Sequence, residues 1–317
     1  MGIVIDLSNN TKYPDLHEFV GFSDWTIVYI HIEFWVIQAL ALVGNPIVLV
    51  TSIKYSSLNM DEISCRFLEN LAVADLILAV IGGWPIYITF VAKRYVLGKF
   101  CCIAALFMTN VGGVAEILIL ATISLYRALS LKYPLQALAI CSTNKAKKVL
   151  VLIWVLAWTP PLISLLSNST IYYEPKKIGC TSVAYYSSWS KVVVTLAMIL
   201  LAGIPMLCIV VSNFVICIIV IRAKRKRNRL SISSTNTNGN LKTVYTVSMV
   251  CLLFIVSWCP YIVRVTADAV GAPFPVWFHI FQIHLLSLNV ALNPVIYTIT
   301  SKSFREVVMS KVFRISS

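Results

Sequence analysis

The sequence predicts a bundle of seven membrane-spanning helices, followed by a short amphipathic helix on the membrane surface. Three observations carry this. Of 317 residues, 59% are hydrophobic and only 12% are charged, about half the charged share of an ordinary soluble domain. A water-soluble fold of this size could not bury that much apolar surface. Seven segments approach the ~20 apolar residues that a helix needs to cross a bilayer.

Taken in order, span 1 covers residues 34–53 without Asp, Glu, Lys or Arg, and its helix is predicted to begin near Ile27. Span 2 (76–92) is equally uncharged, with a start near Ser64. Span 3 (100–126) holds one charge, Glu116. Spans 4 (149–173), 5 (192–221) and 6 (243–263) hold none, and span 7 (269–301) has only His279 and His284. Helices satisfy their own backbone groups in lipid, so the fold is all-α. In "SKSFREVVMSKVF" (301–313), Phe304, Val307, Val308 and Val312 share one face against Lys302, Arg305, Glu306 and Lys311. This reads as a helix lying on the membrane. The chain thus divides into an N-terminal segment (1–26), the seven-helix domain (27–300) and a surface helix with a short tail (301–317).

Basic residues orient the bundle. With the N-terminus outside, 18 of the 26 Lys and Arg residues fall inside: two in the first inner loop, five in the second, seven in the third and four in the tail. "RAKRKRNR" (222–229) dominates and would attract anionic lipid. The net charge of +13 therefore does not imply nucleic acid, because the basic residues lie between apolar runs. The sequons at Asn9 and Asn168 both fall outside, as glycosylation would require. "SISSTNTNGN" (231–240) reads as a flexible inner loop. The first 25 residues lack a basic start followed by an apolar core, so no cleaved leader is expected.

Ionisable groups within spans are functional candidates by default. Asp75 lies in span 2, Glu116 in span 3, Asn45 in span 1, and Asn289 and Asn293 share a face of span 7. Together they predict a polar core. Two like acids in a low dielectric share a proton or hold a cation, and a sodium ion at Asp75 and Glu116 would suit them. The alternative is a hydrogen-bonded packing network between helices. Pro85, Pro160, Pro205, Pro260 and Pro294 interrupt spans 2, 4, 5, 6 and 7 and predict kinks.

These motifs, in this order, resemble the rhodopsin-like (class A) G-protein-coupled receptors over roughly residues 27–313. The resemblance rests on "GN" in span 1, "LAVAD" in span 2, Trp154, Pro205, "FIVSWCP" (254–260) and "NPVIY" (293–297). "NLAVADL" and "LKYPL" are similar to melatonin receptors, whereas "NPVIY" departs from that subgroup, so the subfamily stays open. The resemblance implies a plasma-membrane receptor, not an enzyme, with a heterotrimeric G protein as its partner. It implies a disulfide between Cys102 and Cys180. The choice of Cys102 over the adjacent Cys101 rests on the resemblance alone. Trp258, above the Pro260 kink, would sense the ligand. Phe254, Pro294 and Tyr297 would take part in the switch, and opening of span 6 would expose Arg127 to the G protein.

By position, Thr109, Asn110, Gly113, Ala197, Trp258, Tyr261, Ile262, Val265, His279, Ile283 and Ser287 would line the ligand pocket. Amine receptors of the family carry an aspartate where Thr109 stands, which disfavours monoamines. Opsins carry a retinal-binding lysine where Ser287 stands, and no span contains a lysine. A neutral small molecule or a peptide is the expected ligand. Arg264 is expected to pair with Asp268 at i+4 or to receive an acidic ligand. The alternative function is a constitutively active or lysine-less opsin relative without a conventional ligand. A transporter would show two similar halves with matching broken helices, and an enzyme would need a nucleophile motif. Neither is present in the sequence.

The family usually writes Asp or Glu, then Arg, then Tyr; here the triplet is Tyr126, Arg127, Ala128. No Asp or Glu occurs from Arg222 to Ala267, and Asn213 stands where the family usually has a tyrosine. A weakly locked resting state with raised basal signalling is the expectation. Glu69, six residues before Asp75 and ~9 Å nearer the cytoplasm, is a candidate substitute for the missing acid.

Overall fold

The computed structural model describes residues 5–6, 23–54, 62–166, 169–174, 179–184, 196–197, 199–230, 237–269, 274–300 and 302–309. Six helices are long and apolar enough to cross a membrane, and the apolar stretch Ser248–Arg264 supplies the seventh.

Span 1 is Asp24–Lys54. Ser23 caps it by accepting the Thr26 N–H at 3.3 Å, and Asp24 places a negative charge in the first turn, where the helix dipole favours it. Span 2 runs from Glu62–Ile77 through a π-helical turn, Leu78–Gly83, into Trp84–Ala92. Span 5 repeats the device, with a π turn at Ile199–Gly203 leading into Ile204–Leu230. The cause is the same in both. Pro85 and Pro205 lack an N–H and crowd the carbonyl four residues earlier, which lies within each π turn. Pro46, Pro260 and Pro294 instead sit within continuous helices of spans 1, 6 and 7.

Span 3, Gly98–Lys132, is the central post and packs against spans 2, 4, 5 and 6. Span 7, Val276–Thr300, packs against spans 1, 2 and 6. An apolar cluster packs around span 3, with Leu71, Ile119, Leu120, Ile209, Val250 and Phe254 fully buried. After span 7 comes a short helix, Lys302–Val307. Its Arg305 donates to the carbonyls of Thr298 and Ile299 at 3.2 and 3.4 Å, closing the C-terminus of span 7.

Three sequence expectations change. Span 4 does not extend to Tyr173. It is Thr143–Ala157, broken at Trp158, with a second piece Thr159–Leu166. The consecutive Pro160 and Pro161 end the first piece. Residues 169–173, read as part of that span, belong instead to a strand, β2 (Ser169–Glu174). Their β-branched and aromatic side chains suit a strand. Span 7 begins at Val276, not Ala269. Span 6 is Thr237–Ala269, so the end of the expected flexible loop is helical.

Strand β2 pairs antiparallel with β3 (Gly179–Ala184), and β1 (Ile5–Asp6) adds in parallel on the far side of β2. This small sheet lies across the end of the bundle where span 3 begins. The Cys102–Cys180 disulfide anchors it, with Cα atoms 5.5 Å apart. Ile171, Tyr95 and Cys102 pack together beneath it. Tyr95 Oη donates to the Gly98 carbonyl at 2.9 Å, and Gly98 has φ +73°, a turn conformation that a Cβ would strain.

Candidate functional site

The polar residues of the bundle form three connected layers. The middle layer contains both intramembrane acids. Asp75 and Glu116 are 0% exposed, and each finds an asparagine on span 7. Asn293 Nδ2 donates to Asp75 Oδ2 at 2.9 Å, and Asn289 Nδ2 donates to Glu116 Oε1. The four-residue spacing of the asparagines therefore lets one helix face satisfy two helices. Asn45 donates to the carbonyls of Ala41 and Val290 at 3.2 and 3.1 Å, tying span 1 to span 7. Asp75 and Glu116 are close enough to repel each other when both are charged. Asp75 Oδ1, Glu116 Oε2, Asn289 Oδ1 and Asn293 Oδ1 are buried and have no hydrogen-bond partner among the described residues.

The layer towards the sheet is aromatic. Trp258 lies against Gly113 so closely that a Cβ at 113 would meet the indole Cη2 at 2.7 Å. Only glycine permits that approach. Phe254 and Tyr261 flank the indole, with ring centroids 5.4 Å away on either side, and Trp258 also lies beside Glu116. Thr109 and Asn110 bond back to their own helix, to the carbonyls of Ala105 and Leu106 at 2.5 and 2.7 Å. Ala197, Ile262, Ile283 and Ser287 are half-buried, and His279 is buried. The side chain of Val265 lies outside the described residues, as do that of Asp268 and both sequons, Asn9 and Asn168. Arg264 Nε donates to Gln282 Oε1 at 2.8 Å, and its guanidinium lies 5.1 Å from the Tyr261 ring.

The opposite layer surrounds Arg127. Its guanidinium lies 5.9 Å from the ring of Tyr126, the residue that stands in place of the customary acid. Glu69 does not take over that acid's place: it turns to Arg66, 3.1 Å away on the same helix. Nearby, Ser124 Oγ and Cys251 Sγ are 3.0 Å apart, and Asn213 Nδ2 donates to Ser124 Oγ at 3.4 Å. Tyr297 is buried against Phe304 of the surface helix, 6.2 Å between rings. Pro294 is buried on span 7, one turn from Tyr297.

Sequence reasoning missed the partners Gln282, Ser124 and Cys251, and also the Glu33–His284 pair, whose Oε2 and Nδ1 lie 2.5 Å apart between spans 1 and 7. Glu33 and His284 carried a usable signal, since both are ionisable residues within apolar helices.

Residues 44–297 match the family described as the 7 transmembrane receptor (rhodopsin family). The chain is 25% identical over 300 residues to the thyrotropin-releasing hormone receptor of Gallus gallus, covering 85% of this chain and 74% of that one. It is 23% identical over 292 residues to melatonin receptor type 1B of Rattus norvegicus, covering 89% and 77%. The crystal structure of squid rhodopsin superposes with a TM-score of 0.78 at 19% identity, covering 99% of this chain and 91% of that one. Seven apolar helices, a polar core carried by spans 2, 3 and 7, and a family match across most of the bundle lead to one conclusion: the chain belongs to the rhodopsin family of seven-transmembrane, G-protein-coupled receptors and is not an enzyme.

Proposed function

We propose that this receptor sits in the plasma membrane with its N-terminus outside and couples an extracellular ligand to a heterotrimeric G protein by opening span 6. One observation carries the reading. Trp258 is wedged between Gly113, Phe254 and Tyr261 and lies beside Glu116. A ligand that displaced the indole would perturb the aromatic layer and the polar core together, just below Pro260 in span 6. The sheet and disulfide then cover the ligand mouth, and Arg127 faces the G protein. Similarity to receptors named for thyrotropin-releasing hormone and for melatonin supports a diffusible ligand. Thr109 offers no counter-ion to an amine, so a neutral small molecule or a peptide is favoured. A ligand-library screen with a promiscuous G-protein readout tests this. Strong turnover that no ligand alters would favour the second reading, a constitutive, lysine-less relative.

The oxygens of the middle layer fit a sodium ion. Asp75, Glu116, Asn289 and Asn293 each present one buried oxygen without a hydrogen-bond partner among the described residues, a hard donor set of the kind that small cations take. Bound there, the ion would offset the repulsion between the two carboxylates. Thermal stability should then rise with sodium but not with a bulky organic cation. Asp75→Asn should abolish the difference. A sodium-indifferent parent would refute the site. Glycosylation at Asn9 and Asn168 would be read as a mobility shift on deglycosylation, lost in Asn9→Gln and Asn168→Gln together.

A further inference from the structure

Spans 3, 5 and 6 are joined on the Arg127 side by three neutral side chains. Ser124 and Cys251 are 0% exposed and Asn213 is 6% exposed. Ser124 Oγ lies 3.0 Å from Cys251 Sγ, and Asn213 Nδ2 lies 2.9 Å from the Ile209 carbonyl and 3.4 Å from Ser124 Oγ. The amide N–H of Asn213 donates to Ser124. Between Ser124 Oγ and Cys251 Sγ either group can donate, because the hydroxyl and the thiol each carry one proton and lone pairs. Ser124 is three residues before Arg127 and so lies on the same face of span 3. Cys251 is nine residues before Pro260, roughly 13 Å along the helix below it. A swing of the lower half of span 6 therefore separates Cys251 from Ser124 before it disturbs the packing at the hinge. Phe254, one turn above and fully buried, excludes water, which strengthens the bonds.

We infer that Ser124, Cys251 and Asn213 form an uncharged latch that holds span 6 closed in this receptor, at the level where the family places its arginine and acid. The three residues position span 6; they contact neither ligand nor G protein. This rests on the receptor reading, and the test separates the two. Ligand-free G-protein turnover and the alkylation of Cys251 by N-ethylmaleimide are measured on the full chain in membranes. Site-resolved mass spectrometry reads the alkylation against Cys141, a half-exposed thiol outside the bundle core.

Ser124→Ala should raise turnover about three- to tenfold and raise Cys251 alkylation relative to Cys141 by a similar factor. Asn213→Ala should act in the same direction and serves as the second variant if Ser124→Ala is poorly expressed. Ser124→Thr, which keeps the hydroxyl, should restore both readings towards the parent. In a Cys251→Ala background, Ser124→Ala should raise turnover no further. If alkylation rises while turnover is absent from every variant and from the parent, the latch stands and the G-protein reading falls. Unchanged Cys251 alkylation in well-expressed Ser124→Ala and Asn213→Ala would overturn the latch.

Discussion

Gly113→Ala is the sharpest perturbation of the proposed sensor. The added methyl would lie 2.7 Å from Trp258 Cη2, where carbon atoms prefer about 3.5–4.0 Å. The indole must therefore move by about 1 Å. Phe254, fully buried, and Tyr261 both crowd the indole at 5.4 Å between ring centroids, so the shift must displace its neighbours. Overpacking of this kind costs about 1–3 kcal/mol. If the active arrangement already displaces the indole, that cost falls on the resting state alone. A bias of about 1.4 kcal/mol then gives a tenfold shift. The assay is ligand-free nucleotide exchange on a purified G protein, normalised to folded receptor at the surface. Basal exchange should rise several-fold, and Gly113→Val should exceed it until folding fails. A variant that melts earlier but exchanges at the parent's rate would refute the reasoning, since the clash would then be absorbed without moving the switch.

Three further expectations follow. Tyr126→Asp returns an acid to the half-exposed position before Arg127 and should lower basal turnover about 1.5- to fivefold, matching ~0.2–1 kcal/mol; an undetectable basal rate in the parent would remove the premise. Cys102→Ala opens a bridge spanning 78 residues, worth about 4.5 kcal/mol by loop entropy, and should sharply reduce surface expression. Cys101→Ala should not, and the reverse pattern would contradict the pairing. Glu33→Gln breaks the contact with His284 and should lower thermal stability by roughly 1–3 kcal/mol. His284→Ala in that background should then add little, whereas full additivity would show that the two residues are not coupled.

Much of this was legible in the sequence because lipid makes polar groups expensive. An acid such as Asp75 or Glu116 in an apolar helix needs a partner, and the asparagines four apart on span 7 were the evident supply. The latch was not legible for the opposite reason. Small neutral groups in a helix can satisfy themselves: Thr109, Thr122 and Ser130 each bond a carbonyl four residues back. Ser124 looks identical to them on the page, and only the approach of spans 5 and 6 gives it a different partner. The end of span 4 was hidden similarly, since "STIYY" is apolar enough for either a span or a strand. The two prolines upstream and the pairing across to β3 decide between them.

A neutral latch of the kind proposed would have an energetic consequence. Breaking a buried ion pair by removing one partner costs about 3–5 kcal/mol, because a charge is left stranded. Breaking a neutral hydrogen bond costs about 0.5–1.5 kcal/mol. Span 6 held by Ser124, Cys251 and Asn213 would open more readily than one held by an arginine and an acid, yet less readily than an unlatched helix. Basal signalling should then be adjustable in both directions from the parent: downward when Tyr126→Asp adds a charged restraint, and upward when Ser124→Ala removes the neutral one. A response in one direction only would mean that a single contact sets the resting state, and the two substitutions together would show which.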